Sequence, residues 1–120
     1  MVLRALAAEG GTLDVAVAEG FGLRLVGLAG LASIEPGFAL LLPECRSVHT
    51  FGMRFAIDVV FVRREPGRSD ARVLSVVQFV QPMRIVRTHS NGPVSALELG
   101  AGEARRRGIA AKSMLRLGPS

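Results

Sequence analysis

The run Ile57-Asp58-Val59-Val60-Phe61-Val62 is apolar on both alternating sets of positions apart from Asp58. Side chains alternate along a strand, so this one must be covered on two sides and belongs inside a sheet rather than at its edge. Around it lie short strand candidates separated by turn signals, with no rhythm of strand and long helix. Residues 12–18 alternate, and Phe38 to Leu42 is an apolar run bounded by Pro36-Gly37 and Pro43. Residues 47–64 and 72–80 read as a hairpin with a loose loop at about 64–70. The chain stays extended after Pro82, turns at Ser90-Asn91-Gly92-Pro93, and offers two more strands at 94–99 and 113–117. The Gly- and Leu-rich residues 21–32 read as one short helix. A second ends at Gly108, with Arg105, Arg106 and Arg107 favourably placed at its carboxyl end. The expected fold is mainly β: a compact antiparallel β-sandwich or squat barrel with one or two short helices.

A chain of 120 residues, 49% hydrophobic and 21% charged, fits a single domain over residues 1–120 that buries its own core. Its single cysteine, Cys45, cannot form an internal disulfide, which favours a reducing, cytoplasmic setting. The apolar start is interrupted by Glu9, and no run approaches the ~20 apolar residues of a membrane span, so neither export nor membrane insertion is expected. The net charge of +5 raises the question of nucleic acid. Lys112 is the only lysine, however, the arginines are scattered outside 105–107, and no Trp or Tyr supplies a stacking platform. Nucleic acid is therefore not an expected partner.

The chemistry-bearing residues concentrate between Cys45 and Val62. Along the extended run, Met53, Phe55, Ile57, Val59 and Phe61 share one face, and Arg54 and Asp58 share the other. Their Cα atoms would stand ~13 Å apart, too far for a simple ion pair. A carboxylate among valines needs a partner, so Asp58 is either a structural anchor, bonded to Arg84, Arg54 or backbone amides, or a carboxylate facing a pocket. Cys45 and His49, with Asp58 nearby, supply the residue types of a thiol nucleophile, provided a helical turn brings the first two together. His89 lies in a turn-rich segment, and no paired Cys or His spacing supports a metal site, so neither metal nor cofactor is expected.

The segments Ser47–Val62, Val80–Val86, Ala96–Ile109 and Ala110–Leu115 together resemble the family known as domain of unknown function 192, over about residues 23–117. Cys45, His49, Thr50, Met53, Arg54, Ile57, Asp58, Pro82, Arg84, Glu98 and Gly108 fall on its pattern. Ala56 and Gly100 stand where the family usually has proline, and Lys112-Ser113 stands for its closing Gly-Asp. The resemblance implies a compact, sandwich-like β domain and no established activity. The leading expectation is a domain binding a small polar or anionic ligand in a pocket near His49, Thr50, Arg54, Asp58 and Arg84. The alternatives are a protein-interaction or assembly module, using a sheet edge or the Arg105–Arg107 helix, and a hydrolase or transferase with Cys45 as the reactive thiol.

Overall fold

The computed structural model describes residues 3–8, 11–18, 34–64 and 70–119. Its elements are β1 (Leu3–Ala8), β2 (Gly11–Val17), β3 (Phe38–Leu42), β4 (Ser47–His49), β5 (Ile57–Arg64), β6 (Asp70–Val80), β7 (Ile85–Arg87), β8 (Ser95–Gly100), α1 (Glu103–Arg106) and β9 (Met114–Pro119). Seven strands close into a barrel in the order β1-β2-β3-β8-β5-β6-β9, and β4 and β7 form a separate two-stranded sheet. Neighbours in the barrel are antiparallel, with the exception of the parallel pair β2 and β3. A parallel pair requires a crossover of about a dozen residues or more. The expected helix at residues 21–32 falls in that connection and lies outside the described residues.

β5 is central, between β6 and β8, and Ile57 to Val62 are all buried. Its two faces serve two different cores. Val60 and Val62 join Leu13, Val15, Val17, Ala39, Leu41, Ala71, Val73, Leu97, Leu99 and Leu115, contributed by six strands around the circuit, so this cluster fills the barrel interior. Ala104 and Ile109 from α1 and its exit belong to it and plug one end. Ile57, Val59 and Phe61 face outward into a second cluster with Leu40, Leu42, Cys45, Val48 and Ala96, over which Met53, Phe55 and Val86 pack. Register continues across the strands: Val15, Ala39, Leu99 and Asp58 form one inward row, and Ala16, Leu40, Glu98 and Val59 the adjacent outward row.

Two expectations are revised. The amino-terminal residues carry β1, which pairs with both β2 and β9 and so closes the barrel. The extended run expected over 47–64 is divided: Ser47–His49 is β4 of the small sheet, and the strand containing Asp58 starts only at Ile57. Thr50-Phe51-Gly52-Met53 is a turn closed by the Met53 N–H donating to the Thr50 carbonyl (3.2 Å), with Gly52 at φ 83°. A positive φ at the third position is the signature of a type II turn and favours glycine there. Arg54 therefore shares no strand face with Asp58.

Candidate functional site

Asp58 lies in the barrel interior, fully buried, where β5 meets the plugged end. Its Oδ1 accepts from the Phe79 N–H (3.0 Å), and its Oδ2 accepts from the N–H groups of Gly102 and Ala104 (3.0 Å each). The carboxylate thus satisfies orphan donors at the start of α1, whose N-cap is Gly102 and has no side chain of its own to do so. It also satisfies an amide at the β6 bulge, where the register slips between Ile57 and Val59. Of the partners open to Asp58 from sequence, backbone amides are the ones it has; Arg54 and Arg84 are both exposed.

Thr50 is the second buried polar residue of the block. Its hydroxyl donates to the Gln81 carbonyl (2.7 Å) and accepts from the Arg84 N–H (2.9 Å). In Gln81-Pro82-Met83-Arg84, Pro82 presets the second turn position and Met83 takes φ 64° at the third. The Thr50 hydroxyl stands between the carbonyl and amide that would otherwise close that turn directly. The Thr50 backbone adds three bonds: its N–H donates to the Arg84 carbonyl (2.9 Å), and its carbonyl accepts from Met53 and Met83 (3.2 Å each). One residue thereby fastens the 50–53 turn to the 81–84 turn.

The remaining residues of the block face outward. His49 pairs across the small sheet with Ile85 and stacks on Phe51, with ring centroids 5.2 Å apart. Val48 and Val86, the intervening pair, face the outer core. Among the described residues, the large apolar side chains that stand exposed are Phe51 (45%), Phe79 (54%), Met83 (63%), Ile85 (50%) and, elsewhere, Met114. Four of these five lie on the two segments that Thr50 and Asp58 hold, residues 49–54 and 79–85, called the rim below. His49, Arg54 and Arg84 are interspersed among them, all exposed. The sequence has no Asp or Glu between residues 71 and 97, and only the buried Asp58 between 45 and 64, so the charged side chains that these two segments place at the surface are those of Arg54 and Arg84.

Cys45 is buried in the outer core, and its thiol donates to the Ser47 carbonyl (3.1 Å). Val48 points inward and His49 outward, so the imidazole is on the far side of β4 from the outer core that holds the thiol. His89 is exposed in the loop after β7. Among the described residues, no three His, Cys, Asp or Glu side chains gather as a metal site, and no helix is long and apolar enough to cross a membrane.

Two buried acids complete the electrostatics. Burial alone would push the Glu103 carboxyl up. Donation from the Gly37 N–H (3.0 Å), with Arg107 and Arg106 beside it, outweighs burial and holds its pKa below the ordinary value. Glu98 has no such support. It faces the outer core between Leu40 and Val59, only 4% exposed; among the described residues its Oε2 has no hydrogen-bond partner, and burial pushes its pKa up to about 7. The sequence flagged Glu98 only as part of a family pattern; its lone position among apolar outward neighbours emerges from strand register.

The family model DUF192, described as an uncharacterised ACR, matches residues 4–117. The chain belongs to DUF192. The DUF192 match extends to β1, beyond the region of likeness read from motifs. A crystal structure of a protein of unknown function from Novosphingobium aromaticivorans DSM 12444 superposes with a TM-score of 0.73 at 17% identity, covering 98% of this chain and 84% of that one. A protein from Sinorhizobium meliloti 1021, described as a candidate transcription regulator, superposes with a TM-score of 0.74 at 24% identity, covering 97% and 92%. At these identities the likeness shows a shared fold. No curated protein is a significant match. At the DUF192 closing Gly-Asp, this chain holds Lys112 at φ 74°, the conformation glycine adopts freely, and Ser113 Oγ accepts from the Ala110 N–H (3.1 Å). The hydroxyl thus fills an acceptor position that an aspartate could also serve.

Proposed function

We propose that this DUF192 protein is an interaction module that engages an acidic partner segment carrying apolar side chains, through the rim of residues 49–54 and 79–85. The observation that carries this reading is the placement of four half-exposed apolar side chains, Phe51, Phe79, Met83 and Ile85, on two segments whose exposed charged side chains, Arg54 and Arg84, are both cationic. Exposed apolar side chains edged by charge mark a contact site, and the sign of the charge selects the partner. Of the five residues expected to line a ligand pocket, Thr50 and Asp58 have their hydrogen-bonding capacity engaged by the backbone. His49, Arg54 and Arg84 remain to make contact, which favours a partner lying across a surface over a small ligand enclosed by all five.

The test is a nitrogen-15 NMR titration with a synthetic peptide alternating Glu and Leu. Expected are amide shifts confined to residues 49–54 and 79–85, weakening as ionic strength rises from about 0.05 to 0.5 M, where screening becomes short-ranged. Equal binding of a Lys-Leu peptide, or shifts on another face, would refute the proposal. Saturable binding of decanoate with no response to the Glu-Leu peptide would instead favour the small anionic ligand.

A further inference from the structure

We infer that Asp58 and Thr50 are positioning residues that hold Phe79 and Met83 in left-handed backbone conformations, and that these two side chains determine which partners the rim accepts. This rests on the proposed interaction surface and says how it is built. Four described residues other than glycine have positive φ: Glu44, Phe79, Met83 and Lys112. Glu44 and Lys112 are charged, and at an exposed corner such side chains reach solvent in any backbone conformation. Phe79 and Met83 are large and apolar, yet among the described residues they are the two most exposed of their kind.

Neither position demands such a side chain for the fold. Phe79 sits at the bulge opposite Asp58, and a bulge residue with positive φ is commonly glycine. Met83 sits at the third position of a type II turn, where the companion turn, Thr50-Phe51-Gly52-Met53, uses glycine. An L side chain in this region strains the backbone, and such strain persists only where surroundings impose it. The imposing groups are identifiable. The Phe79 N–H is held by Asp58 Oδ1, and the Met83 N–H by the Thr50 carbonyl, while the Thr50 hydroxyl spans the turn around Met83. Two fully buried polar residues therefore fix two exposed apolar ones, and the sheltered bonds serve an exposed display. The aromatic tip of Phe79 also lies near Gly102, where an added Cβ would come within 3.7 Å of Cζ. A side chain at 102 would meet the ring, so the display position of Phe79 is bounded on that side.

The experiment compares Met83→Gly and Phe79→Gly with wild type in two independent measurements, thermal unfolding without ligand and affinity for the Glu-Leu peptide. Glycine relieves the strain and removes the displayed group. Expected is a Tm within about 4 °C of wild type or above it, the range of a change of about 1 kcal/mol in a domain of this size, together with at least about a tenfold loss of affinity, the same energy scale in binding. A Tm fall beyond that range would show that the side chains serve the fold and would overturn the inference, leaving the surface proposal to the NMR map. An unchanged affinity would overturn both. Positioning by Thr50 is tested with Thr50→Ser, which keeps the hydroxyl and should retain affinity, against Thr50→Val, which removes it and should lose affinity at temperatures where the variant is still folded. Equal affinities for Ser and Val variants would refute the role of the hydroxyl.

Discussion

Replacing Glu98 by glutamine removes an ionisable group from the outer core while keeping its shape. The physical setting is severe: Leu40 and Val59 flank it across the sheet, Ala96 and Gly100 lie two residues away on the same face, and Oε2 has no partner among the described residues. The neutral acid tolerates this environment better than the carboxylate, and its pKa rises from 4.5 to about 7 on folding. The folded state therefore binds the proton more tightly than the unfolded state. Stability from this group is fully present below pH 4.5, declines as pH rises toward 7, and is constant beyond. At 1.36 kcal/mol for each pH unit, the interval corresponds to a loss of about 3 kcal/mol. Glu98→Gln should match wild type within about 1 kcal/mol at pH 4.5, since an amide and a protonated carboxyl desolvate similarly. At pH 8 it should be more stable by about 3 kcal/mol, or roughly 10 °C in Tm. Urea unfolding of both proteins at pH 4.5, 6 and 8 measures the difference directly. Glu103 titrates with the opposite sign, its depressed pKa withdrawing stability as pH falls, but it is common to both proteins and cancels. A difference that stays constant from pH 4.5 to 8 would refute the assignment of Glu98 as an unpaired buried acid.

Asp58→Ala leaves the amides of Phe79, Gly102 and Ala104 without their acceptor and should cost about 4 kcal/mol in urea unfolding, given 1.5–3 kcal/mol for a hydrogen bond to a charged group and incomplete additivity. Asp58→Asn keeps one acceptor oxygen and should lose less. Lys112→Gly should raise stability by about 0.5–1 kcal/mol, because φ 74° costs a lysine what it does not cost glycine. Cys45 should react with iodoacetamide about tenfold or more slowly in the folded protein than in urea, as burial in an apolar cluster with the thiol bonded to a carbonyl requires.

Much of the strand framework was readable because it is local. Alternation and turn residues locate β2, β3, β8 and β9 and the hairpin of β5 and β6, and Gly108 marks the end of α1. β1 was missed because Leu3-Arg4-Ala5-Leu6-Ala7-Ala8 has no two-fold pattern, and alanine has little strand preference. What makes it a strand is the pair of edges, β2 and β9, between which it lies. The rim was legible only in part. His49, Thr50, Arg54, Asp58 and Arg84 were singled out; Phe51, Phe79, Met83 and Ile85 were not given a surface role, because exposure of an apolar residue leaves no local trace.

The sequence by itself determined that Asp58 must be satisfied and that β5 is central, since desolvation and alternation act residue by residue. Tertiary structure decided which donors Asp58 receives, amides 21 to 46 residues away in the chain. It decided too that Thr50 completes a turn 31 to 34 residues on and that Glu98 stands alone in an apolar row. The reason is common to all three: a hydrogen bond or a desolvation penalty depends on what packing brings near, and closure of the barrel, rather than any local pattern, sets those neighbours.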